Sequence, residues 1–324
     1  LKFWISFKES YKKMYKKAIF LGECMIELNG DISSLENNSS NMKINFGGDT
    51  YNSAVYFSRL TNNKTNTFYS TALGKDNFSK KMISRFKSEN IKCDYIRTDG
   101  ENPPGLYSIE INEKGERSFS YWRDQSPSKY IFLGSKGKKL VKDINNADVF
   151  YYTGISAGIL DKKQRKDLIN IGSTATICGF DFNYRSQLHY NKKVSQLLFN
   201  EINNRVDIHF VSFDDARELF KIKNPLEIFE IINEKKNLIL IRYKNSIIFK
   251  NKQQEIKTVT VPHGEVVDTT AAGDAFNGSF LAIMNNNKNV PVEENILISH
   301  SVTREVIKHR GAIISKNKMP KIKT

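Results

Sequence analysis

Short apolar runs rich in β-branched and aromatic residues alternate along this chain with longer stretches of helical spacing, and no other feature restricts its fold as strongly. Ala18–Gly22, Thr67–Leu73, Val149–Thr153, Ile177–Asp181, Val206–Val211 and Leu238–Arg242 read as strands. Thr50–Leu60, a segment from about Asn77 to Glu89, Lys162–Ile171 and Lys192–Ile202 read as helices. A strand that is apolar on both faces must be covered on both sides, and a helix-length connection lets the next strand pair parallel to it. The pattern predicts an α/β protein of three layers, helices on either side of a largely parallel central sheet. The 324 residues suffice for one large core.

Two segments depart from this alternation. Glu27–Asn45 and Gly105–Tyr121 follow the strand period without an intervening helix, the second turning at Glu113–Gly115. Strands that leave the main sheet in this way predict a small lid over one edge, with lid strands from about residues 27–45 and 105–121. Residues 1–16 precede the first strand and read as a disordered extension ahead of one domain spanning 17–324. Their apolar stretch FWISF is shorter than the roughly 7–15 residues of a signal-peptide core, and no small-residue cleavage site follows.

Charged residues at 26% and hydrophobic ones at 39% exclude wholesale disorder. A net charge of +15 invites a nucleic-acid partner. The lysines, however, are spread through the chain beside asparagines, as in TNNKTN and NNNKN, with no accompanying DNA- or RNA-binding signature. No nucleic-acid partner is expected. No apolar run reaches the roughly 18 residues of a membrane span, so no membrane partner is expected either. Cys24, Cys93 and Cys178 are odd in number, scattered and without metal-ligand spacing, which favours a reducing, cytoplasmic setting.

In open α/β sheets, ligands bind beyond the carboxyl ends of the strands. Polar clusters fall at such places. Phe46-Gly47-Gly48-Asp49-Thr50 opens a helix, while Asp181-Phe182-Asn183-Tyr184-Arg185 and Ser212-Phe213-Asp214-Asp215 follow buried strands. DTTAAGDAFNGSF, residues 268–280, places small residues and Asp274 at the mouth of a further helix, where first-turn N–H groups face outward toward an anion. Each has a plain structural reading. The glycines would make a tight turn, Asp49 or Thr50 a cap, Asp274 a complement to the helix dipole, Asp214 and Asp215 helix-entry acids, and Arg123 and Arg185 surface ion pairs.

Taken together, these stretches resemble a known family. DTTAAGDAF is similar to the C-terminal signature of the ribokinase-like, PfkB-type sugar kinases. LGECMIEL, FGGDTYNSAVYFSRL, GLYSIE, GERSFSYWR, FDFNYRSQL, VDTTAAGDAF and HRGAII follow in the order found in its 2-keto-3-deoxygluconate kinases, from about Lys17 to the C-terminus. The resemblance implies a ribokinase-like fold, ATP with Mg2+, and phosphorylation of a sugar acid at its terminal hydroxyl. It makes Asp274 the base, with Ala272 and Gly273 lending N–H groups to the transferred phosphoryl. Gly47, Gly48 and Asn52 would line the sugar site, with Tyr107 and Tyr121 reaching it from the lid. Arg123 and Arg185 would read the carboxylate, which a guanidinium fork matches. Asn183, Ser212, Arg242 and Ala271 would contact the nucleotide, and Asp215 would hold magnesium through water. Dimerisation through the lid is implied as well.

One departure concerns the nucleotide side. The family's glycine-containing loop after the Leu238–Arg242 strand is here Tyr243-Lys244-Asn245, and Asn245 is the residue expected to tolerate a left-handed turn. Two other functions remain open on sequence alone: a kinase of a neutral sugar such as fructose, and a sugar-acid binder without catalysis.

Overall fold

The computed structural model describes residues 16–30, 42–111, 117–188, 191–232, 237–251 and 253–322. The expected extension up to residue 15 and the turn at Glu113–Gly115 lie outside them.

The strands are β1 (Lys16–Leu21), β2 (Met25–Asn29), β3 (Lys43–Gly47), β4 (Thr65–Ser70), β5 (Ala72–Gly74), β6 (Ile91–Lys92), β7 (Arg97–Gly100), β8 (Leu106–Ile111), β9 (Arg117–Trp122), β10 (Val149–Thr153), β11 (Cys178–Asp181), β12 (Ile208–Ser212), β13 (Leu238–Tyr243), β14 (Ser246–Lys250) and β15 (Ile256–Thr260). Nine of them form the central sheet, in the order β15-β14-β13-β12-β11-β10-β1-β4-β6. It is parallel from β6 to β13. β14 and β15 continue it antiparallel and were not anticipated as strands. The run Thr67–Leu73 divides at Thr71, and Leu73 belongs to β5, which pairs with β7 away from the central sheet.

Successive residues of a strand point to opposite faces, and both faces are apolar here. Ile19 and Leu21 of β1, Phe150 and Tyr152 of β10, and Ile239 and Ile241 of β13 join one core with Leu140, Leu168, Phe199 and Leu219 from helices. The intervening Ala18, Phe20, Val149, Tyr151, Leu238 and Leu240 join a second core. That core is closed by Val55 and Phe57 of helix Asp49–Thr61, Phe276 and Phe280 of helix Ala272–Asn286, and Val302 of helix Val292–Val306. The result is the ribokinase-like three-layer arrangement.

A separate four-stranded sheet, β3-β2-β8-β9, is built from the two segments that broke the alternation. β2 pairs antiparallel with β3 and parallel with β8, and β8 pairs antiparallel with β9. Met25, Tyr107 and Ile109 form its own small apolar cluster.

Candidate active site

The helices Asp49–Thr61 and Ala272–Asn286 pack side by side, and at Gly278 a Cβ would run into the carbonyl of Ser53. This close approach brings Asn52 to Asp274: the Asn52 Nδ2 donates to the Asp274 carboxylate at 2.9 Å. Ser53 Oγ donates to the Asp274 carbonyl at 3.1 Å. Asn52 Oδ1 is buried with no hydrogen-bond partner among the described residues. Burial, reinforced by the charge of Asp49, pushes the Asp274 carboxyl up to about 8, against the hydrogen bond from Asn52.

Asp49 does more than start a helix. Its Oδ2 accepts from Thr153 Oγ1 at 2.6 Å and from Asn183 Nδ2 at 2.8 Å, and its Oδ1 accepts from the Thr50 N–H at 2.7 Å. Burial raises its carboxyl too, the hydrogen bonds from Thr153, Thr50 and Asn183 acting against that rise and the Asp181 charge with it. Asn183 was expected beside the nucleotide. In the turn after β11 its φ is +30° and its amide donates to Asp49.

Gly47 and Gly48 do not make a left-handed turn, since Gly48 sits at φ 168° and Gly47 is absent from the positive-φ residues. They are required by crowding. A Cβ on Gly47 would meet the Tyr107 hydroxyl, and one on Gly48 the carbonyl of Glu23. The Tyr107 hydroxyl donates to Glu27, whose carboxylate is buried. Tyr107 and Tyr121 stack with ring centroids 6.0 Å apart. The Arg123 guanidinium lies 5.9 Å from the Tyr121 ring and pairs with buried Glu23. Arg185, near half exposed at 45%, donates to the Tyr184 carbonyl at 2.7 Å and reaches Asp215 at 3.4 Å. Burial raises the Tyr121 hydroxyl, and the charges of both Arg123 and Arg185 oppose that rise.

At the mouth of helix Ala272–Asn286, Ala271 is held left-handed at φ +59°. The Ala272 N–H was expected to face the phosphoryl. It closes a turn instead, donating to the Thr269 carbonyl at 3.2 Å, so Gly273 and Asp274 carry the outward first-turn N–H groups. Arg242 lies beside this mouth, and a Cβ at Gly273 would come 3.4 Å from its Nη2. Ser212 is Arg242's register partner on β12. The left-handed residue of the β13–β14 turn is Lys244, at φ +50°, and not Asn245. The neighbour on the other side is Asp215, whose carboxyl burial pushes up to about 6 against the Arg185 charge. Among the described residues no three His, Cys, Asp or Glu side chains converge as a metal-holding group.

Asp49, Thr153, Asp181 and Asn277 were not assigned to the site from the sequence. Asp49 and Asp181 carried a signal, as acids at a helix start and a strand end, but their partners come from distant segments.

The pfkB family carbohydrate kinase profile matches residues 16–319. This chain belongs to the PfkB family. The 2-dehydro-3-deoxygluconokinase of Haemophilus influenzae is 36% identical over 310 residues, covering 93% of this chain and 96% of its own length. The Escherichia coli K12 protein of the same name is 32% identical over 320 residues, covering 95% and 100%. Among solved structures, Vibrio cholerae fructokinase, with fructose, ADP and calcium ion bound, superposes with a TM-score of 0.76 at 17% identity, over 93% of this chain and 95% of that one. Asp274, within the DTTAAGDAF stretch, lies at the mouth of the helix against which Asn52 packs.

Proposed function

We propose that this PfkB kinase transfers the γ-phosphoryl of ATP to the terminal hydroxyl of 2-keto-3-deoxygluconate, the compound also called 2-dehydro-3-deoxygluconate. The observation that carries the substrate is the Arg123 guanidinium over the Tyr121 ring of the second sheet, 5.9 Å from its centroid, with the Arg185 charge also acting on Tyr121. A neutral hexose offers the guanidinium groups only hydroxyl oxygens. A sugar acid gives them a carboxylate.

The reaction asks for an aligned hydroxyl, an acceptor for its proton, and donors for the phosphate oxygens. Asn52 holds the Asp274 carboxylate in place and offers its free Oδ1 to a sugar hydroxyl. The acceptor oxygen bonds to the γ-phosphorus, its proton passes to Asp274, and the bond to ADP breaks with its electron pair leaving on ADP. The Gly273 and Asp274 N–H groups and Arg242 face the transferred phosphoryl, with Ser212 and Ala271 beside the nucleotide. Asp215 fits a magnesium ion held through water. Burial and the Asp181 charge already disfavour its bare carboxylate, and such an ion needs few protein ligands when phosphates supply the rest. When bound, magnesium would supply charge neutralisation at the phosphates. The second sheet would serve as the lid. Its exposed Ile44, Phe119 and Trp122 support assembly of a homo-oligomer through this sheet, which sedimentation of the purified chain would test. The unpaired thiols of Cys24, Cys93 and Cys178 support a cytoplasmic setting.

A coupled kinase assay on 2-keto-3-deoxygluconate and on fructose tests the substrate, with Arg185→Met as the informative variant. Arg123→Met is less clean, because it strands Glu23 as a buried unpaired charge. Losing one charge-assisted contact of about 1.5–3 kcal/mol raises the sugar-acid KM by roughly ten- to a hundredfold. Activity on fructose should change far less. A wild type that prefers fructose, or equal losses on both sugars, would defeat the sugar-acid assignment.

A further inference from the structure

Beneath the mouth of the Asp274 helix lies a buried polar chain that the reaction described so far does not use. Asn277, three residues beyond Asp274, is fully buried. Its Nδ2 donates to Asp181 Oδ2 at 2.7 Å and to the Tyr151 hydroxyl oxygen at 2.9 Å. Its Oδ1 accepts from Arg242 Nη1 at 2.9 Å. Arg242 Nη2 in turn reaches both carboxylate oxygens of Asp181, at 3.3 and 3.4 Å. Asp181 and Tyr151 are 2% and 0% exposed, whereas a quarter of the Arg242 side chain remains open. The guanidinium is therefore gripped from behind by buried groups and presents its free side to the first turn of the helix.

The position of that free side matters. Nη2 lies against Gly273, and the Arg242 charge acts on both Asp274 and Asp215. Arg242 thus lies beside the first turn that carries the proposed base, and its charge also acts on the proposed magnesium carboxylate. A buried Arg–Asp pair is by itself weak evidence for anything beyond structure. Here the third member decides. Asparagine donates and accepts at once, so one side chain fixes the guanidinium, the carboxylate and the tyrosine together. Aspartate has no donor to offer Asp181, and an aliphatic residue has neither donor nor acceptor. A fully bonded buried network of this kind restricts its members to one geometry.

We propose that Asn277, backed by Asp181 and Tyr151, is a positioning residue that aims Arg242 at the phosphoryl group during transfer. This rests on the kinase reading above, but not on which sugar is the acceptor.

The test is a double-mutant cycle on the full chain, with Asn277→Leu, Arg242→Met and the double variant. For each, kcat, the two KM values and Tm are measured on the better of 2-keto-3-deoxygluconate and fructose. Asn277→Leu and Arg242→Met should each lower kcat by at least about tenfold, with the sugar KM within about twofold. The double variant should be no worse than Arg242→Met alone, within about twofold, because Asn277 acts only through Arg242. Losses that multiply in the double variant overturn the proposal, as does an Asn277→Leu protein with lowered Tm but unchanged kcat. Should Asn277→Leu fail to fold, Tyr151→Phe removes one hydroxyl and keeps the ring. It should lower kcat about two- to threefold, and not at all in the Arg242→Met background; a loss of the same size in both backgrounds overturns the proposal. A wild type that phosphorylates only fructose defeats the sugar-acid reading and leaves this cycle intact. A wild type that phosphorylates no sugar overturns both.

Discussion

At the carboxyl ends of β10, β11 and β13, Asp49, Asp181, Asp274 and Arg242 are each held by a hydrogen bond or an opposite charge. At the amino ends of β12 and β13, a second polar group is buried with no ligand in prospect. His209 is fully buried and its Nε2 faces Asn237 Nδ2 at 3.1 Å. Lys250 reaches only as far as the Phe229 carbonyl at 3.5 Å, over the Phe229 ring. Both side-chain polar atoms of Asn203 are buried without a hydrogen-bond partner among the described residues. One sheet thus carries two polar clusters. Burial raises the Asp274 carboxyl in one and lowers the His209 imidazole in the other, so in both it favours the neutral form.

The two ends should respond to pH with opposite sign. Asp274 is raised from 3.8 to about 8, so its contribution to stability is full below pH 3.8 and is lost as pH rises through 8. His209 is lowered from 6.5 to about 3, chiefly by burial, so its contribution is present above pH 6.5 and is lost as pH falls toward 3.

The largest effect is expected from Asp274→Asn. Turnover should fall by roughly a hundredfold or more, while Tm at pH 8 should exceed that of the wild type, because a buried charge has gone. Near-normal turnover in the folded variant would remove Asp274 as the base. The next effect is on rate against pH. In the wild type, kcat/KM should rise about tenfold per pH unit toward pH 8 and level above it, since the base must be ionised in the free enzyme. A profile flat from pH 6 to pH 9 would break the link between the raised carboxyl and catalysis.

At the opposite end, His209→Leu addresses stability alone. Wild-type stability should drop by about 2 kcal/mol between pH 7 and pH 5 on account of this residue, and the variant should lack that drop. Denaturant titrations at the two pH values read the difference, and equal drops in both proteins would rule out His209 as the source. Turnover at neutral pH should stay within about twofold. The smallest effect belongs to Ala271. Relief of its left-handed backbone in Ala271→Gly nearly cancels the added chain entropy, so stability should change by less than about 1 kcal/mol. Ala271→Val should lose about 1–2 kcal/mol, and a variant as stable as the wild type would show that this turn is not constrained.

Much of the fold was legible because its determinants are local. Apolar runs such as Val149–Thr153 and Leu238–Tyr243 alternate between two cores residue by residue, and helix-length segments separate them. β14 and β15 escaped because they close an antiparallel edge through a turn at Lys244, where neither length nor glycine announces a hairpin. In the site, the motif residues Asn52 and Asp274 meet across two helices, and Gly47 and Gly48 lie against Tyr107 and Glu23. The partners of the polar groups do not follow from motifs. Asn183 turns to Asp49, the Ala272 N–H closes a turn, and Arg123 is paired with Glu23, 100 residues away in sequence.

The sequence by itself determined the layered α/β frame, the family, and the short stretches at which chemistry would sit, because period and motif are written along the chain. Only the tertiary structure decided how those stretches act on one another. How far the Asp274 carboxyl is raised depends on its burial and on the Asp49 charge, and both follow from the packing of two helices. Where Arg242 points depends on Asn277, Asp181 and Tyr151, which lie on a helix and two other strands. Electrostatic energies fall with distance and dielectric, and neither quantity exists until the chain has folded.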